Sequence, residues 1–148
     1  MVGGLAVVLH GVARLTADLD LVVDLEPIEA RRAVDALVSL GMRPRAPVDA
    51  ADFADPRVRN TWISERHMRV FSMFDPGDAL RDVDLFVQNS IDFEELWGRS
   101  VVVDVGNTTA RIASIGDLIA MKRAVGRPQD LTDVEALEII IEHGGRRD

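Results

Sequence analysis

Two stretches of the chain write carboxylates into strand-like sequence. In "ADLDLVVDL", residues 17–25, Asp18, Asp20 and Asp24 alternate with Leu19, Leu21, Val23 and Leu25. In "DVDLFVQ", residues 82–88, Asp82 and Asp84 share one face while Val83, Leu85 and Val87 share the other. Aspartate is depleted from strands, so its repeated use asks for a reason. Side chains alternate across a strand, and Asp18 and Asp20 therefore project together from Cα atoms roughly 6.6 Å apart. Carboxylates held this way repel and lose hydration unless a cation lies between them. Hard divalent cations such as Mg²⁺ take carboxylate oxygens. The same spacing also suits a solvated strand face, with Asp18 helping a turn and Asp24 facing solvent at the strand end.

The surroundings favour the cation. Gly3-Gly4 opens an apolar helix, whose first N–H groups can hold an anion. Arg14 and Thr16 offer a guanidinium and a hydroxyl suited to phosphate oxygens. Two adjacent acidic strands would bring a third carboxylate to the first pair. Three carboxylates and a glycine turn are the parts of two-metal phosphoryl transfer.

Lys122 is the single lysine beside sixteen arginines. At 100° per residue it falls near the centre of a stripe of Ile115, Leu118, Ile119 and Val125. It must either snorkel over the core or meet acids or phosphates. Asp130 and Asp133 open the last helix, where carboxylates cap N–H groups, and are suited to pair with Lys122, Arg123 or Arg127.

Periodicity and turn residues supply the elements that would carry these groups. An apolar helix over 5–12 precedes a strand over 19–25. Pro27, the stripe Ala30, Ala33, Val34, Leu37 and Leu40, and the terminator Gly41 define a helix. Residues 43–56 read as a loop, followed by strands at 59–64 and 69–74, a turn at "DPGD", and a strand at 82–88. A helix at 91–97, strands at 100–105 and 108–112, and a closing helical pair at 115–125 and 131–143 complete the chain. The class is α+β, a mixed sheet with flanking helices. The whole length, 1–148, reads as one domain, its core at about 3–90 and its C-terminal strands and helices at about 99–143.

Composition bounds the function. With 47% hydrophobic residues, 28% charged and no cysteine, the chain can bury a core and has no disulfide or thiolate chemistry. No apolar run has membrane-spanning length and no signal peptide is evident, so a cytoplasmic protein with no membrane partner is expected. A net charge of −8 argues against general nucleic-acid adhesion. His10, His67 and His143 are too scattered for a metal site, and His10 suits a helix end. Trp62, Phe71, Phe74 and Trp97 read as packing residues. Arg57, Arg59, Arg66 and Arg69 read as a solvated loop and hairpin rather than a nucleic-acid path.

"GGLAVVLHGVARLTADLDLVV" resembles the signature of the nucleotidyltransferase superfamily that includes DNA polymerase β. The version with Gly-Gly and then R-x-T-x-D-x-D is similar to the AbiEii-type toxin nucleotidyltransferases and their uncharacterised relatives. "SIGDLIAMKRAVGRPQDLTDVEAL" resembles the later motifs of the same group, a helical lysine followed by R-x-x-D-x-x-D. The matches bracket residues 3–137, the middle weakly covered.

The resemblance implies a nucleotidyltransferase-like core and Mg²⁺ (or Mn²⁺) held by Asp18, Asp20 and a third acid. Asp84 is preferred to Asp82 for that place, because the Leu85-Phe86-Val87 run sets it deeper in the strand. It implies that Gly3, Gly4, Arg14 and Thr16 cradle the triphosphate of an NTP, that Lys122 reaches the same site, and that Asp130, Asp133 and Arg127 support it. The acceptor hydroxyl would belong to RNA (such as tRNA), a protein or a small molecule, and an antitoxin would be a partner. The family's apolar strand before the glycine pair is reduced here to Met1 and Val2, so either the start lies upstream or the sheet has lost an edge strand. Two alternatives remain: a non-catalytic or antitoxin-like protein of the same fold, and a metal-dependent phosphohydrolase.

Overall fold

The computed structural model describes residues 1–144. Among them the class is α+β, with a four-stranded mixed sheet, a two-stranded sheet and six α-helices. The described residues divide into two compact units, residues 17–93 and residues 1–16 with 94–144. The N-terminal helix thus groups with the C-terminal elements rather than with the four-stranded sheet. No helix among the described residues is long and apolar enough to cross a membrane.

In the 17–93 unit, β1 (Leu19–Leu21), β2 (Arg43–Pro44), β3 (Val70–Asp75) and β4 (Asp78–Phe86) form a sheet of order β1-β4-β3-β2. β1 runs parallel to β4, and the other pairings are antiparallel. Pro76-Gly77 closes the β3–β4 hairpin, with Asp75 Oδ1 accepting from the Gly77 N–H at 2.8 Å. Phe71, Met73 and Leu85 are fully buried on one face of the sheet. Helix α2 (Pro27–Ser39) contributes Ala30 and Val34 to that core, and ends before Gly41 at φ +85°. Trp62 stacks on Phe71 at 5.2 Å between centroids, and Phe53 packs at 5.4 Å. Such pairs add about 1 kcal/mol each beyond area burial.

Three readings of this unit are corrected. Residues 59–64 are not a strand but the middle of helix α3 (Pro56–Arg66). Asp55 caps it through the Arg57 N–H, Pro56 occupies the first turn, and Arg59 and Trp62 share the buried face at i, i+3 spacing. His67 ends it in the left-handed region at φ 51°. The 43–56 segment is not a plain loop, since it carries β2 and a 3₁₀ turn (Ala50–Ala54) capped by Asp49. The opening strand stops at Leu21 rather than residue 25. Beyond it, side chains take over from the ladder: Asp24 Oδ1 accepts from the Glu26 N–H, Asn89 donates to the Val23 carbonyl, and Arg59 donates to that of Leu25.

The other unit contains α1 (Gly3–Leu9), α4 (Phe93–Arg99, which begins at the boundary), the hairpin β5 (Val101–Asp104) and β6 (Thr109–Ile112), α5 (Ile115–Val125) and α6 (Pro128–Glu142). Helix α1 ends at Leu9 rather than residue 12, because His10 caps it and Gly11 turns away at φ +109°. His10 Nε2 donates to the Ala113 carbonyl at 2.8 Å. Trp97, read as packing, is half exposed beneath the Arg111 guanidinium, 4.2 Å from its ring centroid. Helix α6 starts three residues earlier than 131, at Pro128, with the Asp130 carboxylate accepting from the Arg127 N–H. Ser114 caps α5, and Asp117 is clamped by Arg99 Nε and Nη2.

Candidate active site

Parallel pairing of β1 with β4 sets Asp20 beside Asp84, Leu19 beside Val83 and Leu21 beside Leu85. Val83 and Leu85 are buried in the core, so Asp20 and Asp84 lie on the opposite face, half-buried. Neighbouring strands lie about 4.8 Å apart, which makes the two carboxylates close companions. On the other side of β4, Ser72 of β3 stands opposite Asp84 and donates from Oγ to Oδ1 at 2.5 Å. Asp18 sits in the exposed segment just before β1. Asp82 faces Phe74 and is ion-paired with Arg45, whose guanidinium lies 4.9 Å from the Phe74 centroid.

The Asp20–Asp84 pair is a set of hard oxygen donors on one rigid sheet face, which fits Mg²⁺ or Mn²⁺. Asp18, expected beside Asp20 on one strand face, lies outside β1 in the exposed segment that precedes it. Among the described residues no three His, Asp or Glu side chains stand together as a ready-made cation cage. Ser72 is the component that sequence reading missed. Its only signal was a lone hydroxyl at the outward position of "VFSMF", and its partner is set by register between distant strands.

In the other unit, both glycines are required by geometry. Gly3 has φ +70°, a region open to glycine at little cost. A Cβ on Gly4 would stand 2.7 Å from Thr16 Oγ1 and 3.1 Å from the Arg14 guanidinium, so those side chains lie directly on its Cα. Arg14 Nη1 is ion-paired with Asp133. Lys122 is buried and does not snorkel. Its Nζ lies 2.7 Å from Asp133 Oδ2 and 3.5 Å from Asp130 Oδ1. Gln129 donates to Asp133 Oδ1 at 3.0 Å, and Arg127 Nε lies 2.7 Å from Asp130.

Burial works to raise the Asp130 pKa, but hydrogen bonds and charge from Arg127, with Lys122, carry it below the ordinary carboxylate value. Within this network Arg14, Lys122 and Arg127 face Asp130 and Asp133. Arg123 stands apart, ion-paired with Glu138. Arg59 is not solvated: it is buried and donates to the Phe53 and Leu25 carbonyls.

The chain matches no protein-family model and no curated protein.

Proposed function

We propose that this chain is a metal-dependent nucleotidyltransferase that moves a nucleoside monophosphate from an NTP to an acceptor hydroxyl and releases pyrophosphate. The observation that carries the reading is the in-register Asp20–Asp84 pair on the outward face of the sheet. Paired carboxylates of this kind are stabilised by a divalent cation. Asp20 and Asp84 would hold Mg²⁺ or Mn²⁺, and Asp18, the other acid the resemblance implies, does not stand with them in a three-acid cluster. When bound, the metal neutralises phosphate charge and acidifies the acceptor hydroxyl.

The chain's own residues have separate tasks. Asp84 orients the acceptor hydroxyl and takes its proton. Within the other unit, Arg14, Thr16 and Lys122 are the groups suited to phosphate oxygens, and the close fit of Arg14 and Thr16 on Gly4 fixes where those side chains stand. Asp130, Asp133 and Arg127 position Lys122. The acceptor is an RNA end such as that of tRNA, a protein side chain or a small molecule. An antitoxin as partner and action in the cytoplasm, where NTPs are supplied, belong to the same proposal.

One observation favours a second reading. Asp133 engages both Arg14 and Lys122, which occupies the two cations assigned to phosphate. A non-catalytic binding or antitoxin-like protein of the same fold would need no more than that. Calorimetric titration of the full chain with each NTP and Mg²⁺, followed by recovery of the nucleotide, separates the readings. Metal-dependent binding with pyrophosphate release supports the transferase. NTP recovered intact supports the non-catalytic protein, and release of inorganic phosphate supports a phosphohydrolase. Absence of any NTP binding with metal present rules the transferase out.

A further inference from the structure

We propose that Ser72 is a positioning residue for the cation site, its hydroxyl fixing the orientation of the Asp84 carboxylate. The proposal rests on reading Asp20–Asp84 as cation ligands. Aspartate χ2 is a broad torsion with little intrinsic preference, so an isolated outward carboxylate on a strand samples many orientations. At Asp84 that freedom is removed by the Ser72 hydroxyl, which donates to Oδ1 at 2.5 Å.

Ser72 is itself held firmly. It lies on an interior strand of the sheet, opposite Asp84 on β4, and its carbonyl accepts from the Arg45 N–H at 2.9 Å. Its neighbours Phe71 and Met73 are fully buried on the core face, which fixes the pleat and aims the hydroxyl outward. Held through Oδ1, the carboxylate has a fixed plane in which to meet a cation. Second-layer hydrogen bonds of this kind orient ligands, and their loss typically weakens metal affinity about 10–100-fold. Alanine removes the donor, cysteine keeps the volume with a weak donor, and threonine keeps the hydroxyl.

The test is direct Mn²⁺ titration of the full chain by electron paramagnetic resonance, with thermal melting to verify folding, for wild type, Ser72→Ala, Ser72→Cys, Ser72→Thr and Asp84→Asn. The expected result is Mn²⁺ affinity reduced about 10–100-fold in Ser72→Ala and Ser72→Cys, kept in Ser72→Thr, and lost in Asp84→Asn. Wild-type affinity in folded Ser72→Ala or Ser72→Cys, or no Mn²⁺ binding by the wild type, overturns the proposal. Transfer of label from NTP, read on the same wild-type sample, judges the transferase separately. Mn²⁺ binding that depends on Ser72 without any transfer keeps Ser72's role and sinks the enzyme.

Discussion

Asp20 and Asp84 occupy directly paired positions on neighbouring parallel strands, their side chains on the face opposite the buried Val83 and Leu85. Two like charges in register destabilise a sheet by up to about 1 kcal/mol. Asp84→Asn keeps an oxygen for the Ser72 hydroxyl while removing one charge. The variant is expected to be more stable than wild type without metal, by a few tenths to about 1 kcal/mol, and to gain nothing from Mg²⁺. Urea denaturation with and without Mg²⁺ measures both, and a wild type indifferent to Mg²⁺ would contradict the pairing's purpose.

Lys122 and Asp133 form a buried ion pair at 2.7 Å, and each is almost fully shielded from solvent. Replacing Lys122 leaves Asp133 with Arg14 and Gln129, and replacing Asp133 leaves Lys122 only Asp130 at 3.5 Å. Lys122→Met is expected to cost about 3 kcal/mol, and Lys122→Met with Asp133→Leu less than the sum of the two single changes. Additive losses in equilibrium unfolding would show that the pair is not the coupled unit.

Gly4 gives a test of local fit. Gly4→Ala places a methyl 2.7 Å from Thr16 Oγ1, so Thr16 and Arg14 must shift. A cost of about 1–3 kcal/mol is expected, as for overpacking elsewhere. In a Thr16→Ala background most of that cost should vanish, because the obstructing oxygen is gone. A Gly4→Ala penalty unchanged by Thr16→Ala would place the strain elsewhere.

Asp117 and Asp130 are expected to contribute to the acid limb of stability. Hydrogen bonds from Arg99, aided by Ser114 against the pull of burial, hold the Asp117 carboxyl below its ordinary value of 3.8. Asp130 is also lowered: burial opposes this, but the opposing charge and hydrogen bonds of Arg127 and Lys122 outweigh it. A depressed folded-state pKa stabilises at any pH above the unfolded-state value, and that stability is lost as pH falls through the lower, folded value. Stability should therefore fall steeply below about pH 4, and Asp117→Asn should flatten that slope while lowering stability at neutral pH. Free energy of unfolding against pH, for both proteins, reads the slope directly.

Much of this arrangement was legible because it is local. The period-two spacing of Asp82, Val83, Asp84 and Leu85 gave β4's outward acids, and Pro27 with Gly41 gave both ends of α2. Lys122 stood out because a lone lysine interrupts an apolar stripe. Residues 59–64 are helix α3 rather than a strand because the Asp55-Pro56 cap and the Arg59–Trp62 spacing decide the outcome. Arg59's burial could not be read from its neighbours, since its partners are the carbonyls of Phe53 and Leu25, six and thirty-four residues away. Ser72's role was hidden for the same reason: only the β3–β4 register joins it to Asp84.

The central claim is tested most directly by incubating the full chain with Mg²⁺, NTPs labelled at the α-phosphate, and total RNA or cell extract. The expected result is label entering RNA, protein or a small acceptor with release of pyrophosphate, and loss of that transfer in Asp20→Asn with circular dichroism unchanged. Label found only in intact NTP or free nucleotide, or undiminished transfer by Asp20→Asn, would contradict it.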